Sequence, residues 1–244
     1  MKRKYQLGKL PKKHDDRNLQ FAKYLKADVL PPLPDKVDYT DGISGWGMML
    51  NDKIGDCTIA AVGHLIEAWT DGKEIVPDST IQAVYSAISG YDPVTGNNDN
   101  GCAELDVLNY WQTTGVNGDT IGAFAEIDIN QPIDIKTALY MFNGVYIGVN
   151  LPESAETEFE NNQPWVVVNG SPIEGGHAII LVGFDNTYYY AVTWGAVVSI
   201  DPAWITKYMD EAYAIISNDY FSGTKTAEGF DIATLTADLK LIQQ

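Results

Sequence analysis

The apolar residues of this 244-residue chain change their period near Gly115, and that change limits the fold more than any other feature. Before it, Ile59, Val62, Ile66 and Trp69 recur at helical spacing, as do Ile81, Val84, Tyr85 and Ile88, and then Leu105, Leu108 and Trp111. After it, one short helical pattern at 134–142 gives way to β-branched and aromatic runs at 144–151, 165–168, 177–184, 188–194, 197–200 and 212–216. Helices gathered in one half and strands in the other predict an α+β fold in two lobes. The helical lobe spans about 45–125 and an antiparallel, barrel-like lobe about 126–220. Asp78 reads as the N-cap of the second helix. Pro202 suits the first turn of a helix inserted at 201–210, and a tail at 221–244 carries a last helix.

Residues 1–36 read as an arm. Leu7-Gly8-Lys9-Leu10-Pro11 and Leu30-Pro31-Pro32-Leu33-Pro34 predict an extended path with little regular structure, and the domain proper then spans 37–244. Residues 1–26 hold nine Lys/Arg and two acids, whereas the rest holds seven Lys/Arg and 31 acids. So basic an arm on so acidic a body is expected to pack across that body, or to reach a neighbouring subunit and form a homo-oligomer. Leu7, Leu10, Phe21 and Tyr24 should anchor it more than its charges, since exposed pairs contribute only ~0–1 kcal/mol each. The body repels nucleic acid and anionic lipid, and the arm lacks the interleaved aromatics of a nucleic-acid binder. No apolar run reaches the ~18 residues of a membrane span, and the N-terminus lacks the apolar core of a signal peptide. Two cysteines make no disulfide framework, so the expectation is a cytoplasmic protein with free thiols. No metal-site spacing and no phosphate-binding glycine loop occurs, so neither metal nor cofactor is expected.

Cys57 stands where polar and glycine-containing residues give way to the first helix. A thiol in the first helical turn sits at the positive end of the helix dipole, which favours the nucleophilic thiolate. Alone, such a cysteine reads equally as a small core residue. Far along the chain, Gly175-Gly176-His177 opens an apolar run that reads as a buried strand. In a chain with three histidines and two cysteines, this makes Cys57–His177 a specific candidate for a nucleophile and its base. His64 lies on a similar helical face to Cys57 but ~10 Å along the axis, so it reads as structural. His14 reads as solvated.

These residues resemble the papain-like cysteine peptidases, especially their short bacterial and phage-type members. The resemblance runs from about Leu7 to Ser217. It is carried by Gly55-Asp56-Cys57-Thr58, by Gly175-Gly176-His177-Ala178 with Val182-Gly183-Phe184-Asp185, and by Tyr189-Tyr190-Ala191-Val192-Thr193-Trp194-Gly195. It implies a papain-like two-lobed fold with a central helix bearing Cys57, and acyl transfer through a thioester. It implies that Asn51 stands at the side-chain oxyanion donor, one methylene shorter than the family's Gln. It also implies that Gly101, Cys102 and Glu104 line the cleft with Gly176 and Trp194. Glu104 either projects into that cleft or favours its own helix N-terminus. The family's disulfide partner for Cys102 would fall near Ile54, so Cys102 should be a free thiol. In similar bacterial members such an arm lies on the body and is not a long inhibitory propeptide. The family's orienting Asn aligns with Val192, which cannot hydrogen-bond an imidazole. Thr193 serves if the strand is shifted by one, an acid such as Asp201 serves in its place, or the site is a Cys–His dyad.

Three functions fit. The first is a peptidase or amidase. The second is a hydrolase of ester or glycosidic bonds, with Tyr and Trp stacking on sugars and Glu104 as acid. The third is a non-catalytic binding protein on the same fold.

Overall fold

The structure is a computed structural model that describes residues 4–242, so the first three residues of the arm and the last two of the tail lie outside it. In chain order the elements are β1 (Val37–Asp38), α1 (Cys57–Trp69), α2 (Asp78–Ser89), α3 (Glu104–Thr113), β2 (Ile121–Glu126), α4 (Pro132–Phe142), β3 (Val145–Pro152) and α5 (Glu153–Glu160). There follow β4 (Ile173–Phe184), β5 (Tyr189–Thr193), β6 (Ala196–Ile200), α6 (Pro202–Tyr208), β7 (Met209–Ser217), α7 (Asn218–Ser222) and α8 (Ile232–Ile242). The strands form one sheet in the order β2-β7-β3-β4-β5-β6, with β1 added to β4, and every pairing is antiparallel.

The sheet divides two cores, and β4 shows how. Ala178, Ile180 and Val182 alternate with Ile179 and Leu181, and all five are buried. The first set packs with α1, α2 and α3, while the second packs on the other face with α4, α6 and the tail. A strand buried on both faces reads as a continuous apolar run, as this one does. α1 is buried almost throughout because it lies between the other helices and the sheet. Tyr146 of β3 donates its hydroxyl to the carbonyl of Thr58 at 2.9 Å, and Trp69 Nε1 donates to the carbonyl of Phe142 at 2.9 Å. These bonds tie both ends of α1 to the sheet lobe.

Several local expectations change. Pro77, not Asp78, precedes α2, and Asp78 is its first residue, where its charge still favours the helix N-terminus. The run at 165–168 makes only an isolated bridge, Trp165 to Ile200. β2 and α5 have no counterpart in the pattern reading. β2 is interrupted by Gly122 and a register shift, and α5 is polar enough to read as loop.

The arm packs on its own body. Its one helical turn, Phe21–Tyr24, buries both aromatics against Phe142 and Phe230. Leu10 is 39% exposed, so it is a weaker anchor than expected. Lys12 pairs with Glu126, Lys13 with Asp106, Lys23 with Asp238 and Lys26 with Asp231. His14 is exposed beside Asp16.

Candidate active site

Cys57 is the first residue of α1, and its side chain is buried. The backbone N–H groups of Ala178 and Gly8 lie beside its sulfur and favour the thiolate. Burial outweighs them and pushes the thiol up to about 12, with Asp56 and Glu104 adding to the rise. The helix dipole therefore does not produce a thiolate at this buried position, contrary to the expectation from position alone.

His177 sits near the start of β4, fully buried. Its Nε2 lies 2.7 Å from Thr193 Oγ1, and its ring stacks on Trp194 at 4.8 Å between centroids. Its Nδ1 is buried without a hydrogen-bond partner among the described residues. A strand places successive side chains on opposite faces, so Val192 and Thr193 cannot both face the imidazole. Val192 pairs with Ile180 and joins the core under α1, which leaves Thr193 facing His177. The β5–β6 turn then uses Trp194 (φ 48°) and Gly195 (φ 75°), the two-residue hairpin geometry with both central residues at positive φ. That turn swings Trp194 back over the imidazole. Asp201 does not take part: it caps α6, accepting from Ala203 N at 2.7 Å.

Asn51 is buried, and its Nδ2 is 3.2 Å from Oδ1 of Asp56, the residue before Cys57, and 3.1 Å from the carbonyl of Gln6. Asp56 escaped the sequence reading. It is fully buried, and desolvation raises its carboxyl well above the usual range. Asp99 accepts from Gly55 N at 2.8 Å and from Tyr85 OH at 2.7 Å, and Tyr85 OH in turn accepts from Gly101 N at 2.9 Å. This chain of bonds holds the loop before Cys57 against the wall that carries Gly101. Cys57 and Cys102 are both free thiols, and Cys102 is pushed up to about 12 by burial.

The arm passes directly over these residues. Tyr5 stacks on Trp194 at 4.5 Å, and Trp194 also stacks with His177. Gln6 exchanges hydrogen bonds with Asn51, through Gln6 N to Asn51 O at 2.8 Å and Asn51 Nδ2 to Gln6 O. Gly8 takes Cys102 N on its carbonyl at 2.8 Å, and Leu10 N donates to Cys102 O at 2.9 Å. Lys9 N donates to Gly176 O at 3.1 Å, and the Lys9 side chain drops toward Glu104. Asn51, Cys57, Cys102, Glu104, Gly176 and Trp194 thus meet one segment, residues 5–10. Gly8 has no room for a side chain: a Cβ there would lie 1.7 Å from Gly55 O.

His64 is structural. Its Nε2 lies 2.7 Å from Gly47 O, its ring meets Trp46 edge-on, and burial pulls it down to about 4. Burial also pulls His177 down to about 3, with a smaller push from His64. A depressed folded-state value means stability that is complete above the unfolded value near 6.5 and lost as pH falls toward the folded one. His64→Gln keeps a donor for Gly47 O and removes one such proton uptake. Between pH 7 and 4.5 that variant is expected to lose roughly 2 kcal/mol less stability than the wild type. Urea titrations at the two pH values check this, and equal losses would show that His64 is not held neutral.

These features define a two-lobed papain-like fold, in which a helix-borne cysteine faces a strand-borne histidine lobe. Solved structures bear this out. Xylellain, a cysteine protease from Xylella fastidiosa, superposes with a TM-score of 0.69 at 19% identity, over 89% of this chain and 98% of that one. Procathepsin B S9 from Trypanosoma congolense gives 0.59 at 11% identity, over 87% and 86%. The proform of the ragweed pollen cysteine protease Amb a 11 gives 0.58 at 13%, over 83% and 71%. The sequence itself matches no protein-family model and no curated protein. At these identities the likeness establishes the fold. Among the described residues no helix is long and apolar enough to cross a membrane, and no cluster of potential metal ligands occurs.

Proposed function

We propose that the chain is a cysteine peptidase or amidase working through a thioester acyl-enzyme, and that its arm holds it closed. The observation that carries this is the fixed imidazole: Nε2 is engaged by Thr193, the ring lies on Trp194, and the buried Nδ1 is left for a thiol proton. Cys57 gives that proton to His177 and attacks the carbonyl carbon. The oxyanion is met by the Cys57 backbone N–H and by Asn51 Nδ2, which already donates to a carbonyl oxygen of the arm. His177 then returns the proton to the departing amine, and water resolves the thioester. Buried under the arm, the pair is neutral thiol and neutral imidazole, so the closed state is idle. Two free thiols suit the reducing cytoplasm, and we place the protein there.

Peptide, ester and glycoside panels assayed beside intact-mass analysis test the reading. Peptide or amide turnover is expected, stopped by a thiol-directed epoxide that adds once per chain and maps to Cys57. Turnover of sugars or esters alone, unaffected by modification of Cys57, would overturn it.

A further inference from the structure

Lys9 carries its charge into the protein. Its side chain is 1% exposed, and its ammonium lies 2.7 Å from Glu211 Oε1 and 3.0 Å from Asp210 Oδ2. A lysine is seldom buried so far unless carboxylates meet it. Two meet it here because of a defect in strand pairing. Asp210 and Glu211 are neighbours on β7 and would point to opposite faces of a regular strand. The pairing of β3 with β7 slips between Gly148–Glu211 and Val149–Met209, which leaves Asp210 as the extra residue of a bulge. Bulges re-aim side chains, and this one turns both carboxylates to one ammonium. Gly148 makes the floor: a Cβ there would lie 2.0 Å from Lys9 Cε and 2.8 Å from Glu104 Oε1. Tyr213 OH donates to Glu211 Oε2 at 2.9 Å and holds that carboxylate in place.

Glu104 completes the pocket and makes no hydrogen bond to Lys9. It is fully buried, and neither of its carboxyl oxygens has a hydrogen-bond partner among the described residues. Burial, then Glu211, raises it well above the usual carboxyl range. Burial works against the Lys9 ammonium, but Glu104, Glu211 and Asp210 together outweigh it and keep the lysine charged. The pocket therefore offers more acceptors than its present occupant can fill.

We infer that this pocket selects a basic side chain, arginine or lysine, of the peptide substrate, with Glu211, Asp210 and Glu104 as specificity-determining residues and Lys9 holding the place while the arm lies in the cleft. That this side chain belongs to a substrate rests on the peptidase reading above; the pocket itself rests on the geometry. An apolar side chain entering in place of Lys9 would leave the buried Glu211 carboxylate, and Asp210 at its edge, without a cation. A guanidinium carries five N–H donors in a planar fork, enough to serve Glu104 as well, so arginine is favoured over lysine.

The test uses full-length protein carrying Gly8→Val, which cannot seat the arm, in an active form and in a Cys57→Ala form. Peptides carry arginine, lysine or norleucine at one position at a time. Binding to the Cys57→Ala form is read by fluorescence polarisation, and hydrolysis by the active form is read as kcat/KM. At one position the basic peptides are expected to bind roughly 10- to 100-fold tighter than the norleucine peptide, with kcat/KM in the same order. Glu211→Gln and Asp210→Asn should each reduce that preference about tenfold, and two variants guard against one that fails to fold. Norleucine binding as well as arginine, or no peptide binding at all, would overturn the pocket. A basic preference in binding with no peptide hydrolysed would uphold the pocket and overturn the peptidase reading instead.

Discussion

Substituting valine for Gly8 is expected to raise the rate at which iodoacetamide alkylates Cys57 by at least ~100-fold. Two effects combine. The thiol under the arm is pushed up to about 12 by burial, so at pH 8 only about one molecule in 10⁴ presents thiolate, the reactive form. The arm also covers the sulfur. A Cβ on Gly8 would lie 1.7 Å from the carbonyl oxygen and 2.3 Å from the carbonyl carbon of Gly55, and backbone cannot yield as a flexible side chain would. The segment must lift. Lifting it breaks the pairing of Gly8, Lys9 and Leu10 with Cys102 and Gly176, hydrates the sulfur and returns the thiol toward its ordinary range. The body should survive, because the helical turn Phe21–Tyr24 and the aromatic cluster around Phe142 and Phe230 anchor the arm independently, further along the chain. Peptide mapping separates Cys57 from Cys102, the other free thiol. A folded Gly8→Val protein alkylated at the wild-type rate would show that the arm does not guard the thiol.

The helices, the Cys57 and His177 positions and the order of the two lobes were legible because each rests on a local pattern: period, glycine placement, or a polar residue heading an apolar run. The arm shows where such reading stops. Its charge and its Leu-Gly-Lys-Leu-Pro run predicted contact with the acidic body, and it does lie there. That the contact covers Asn51, Cys57 and Gly176 depends on distant surfaces brought together by the sheet, and nothing within residues 5–10 encodes it. Gly8 reads as an ordinary loop glycine until Gly55 and Gly101 close on it from both sides; a Cβ on Gly101 would lie 2.0 Å from Gly8 O. Thr193 could be named only on the condition that the strand shifts by one, for a related reason. Alignment puts Val192 at the orienting position, but which of two adjacent strand residues faces the imidazole is set by pairing register and by the turn at Trp194-Gly195. Asp210 and Glu211 share a pocket only through a bulge, a feature that sequence alternation conceals.

Register also decides what substitutions at this site should do. Val192→Asn would put an amide beside Ile180 in the core under α1, so it is expected to destabilise the fold and restore nothing, contrary to what alignment alone suggests. The position that matters is Thr193. Thr193→Val keeps the shape and removes the hydroxyl, leaving imidazole Nε2 buried without a partner at a cost of ~1–3 kcal/mol. With the arm displaced by Gly8→Val, that loss of orientation is expected to lower kcat roughly 10- to 100-fold with little change in KM, whereas Thr193→Ser should recover most of the rate. Because Thr193 and Trp194 hold the imidazole, it is not a loosely placed base, and His177→Ala should lose about 10³- to 10⁴-fold, the loss expected of a full triad member. Cys57→Ala should abolish turnover outright, since it removes the thiol that would attack the carbonyl and the Thr193 hydroxyl is taken up by imidazole Nε2. Measuring kcat/KM for these variants on one peptide decides among mechanisms. Thr193→Val and Thr193→Ser falling equally would remove the hydroxyl from the mechanism. Retained activity in Cys57→Ala, with Glu104→Gln inactive, would move the chemistry from the thiol to the buried carboxyl on the first turn of α3.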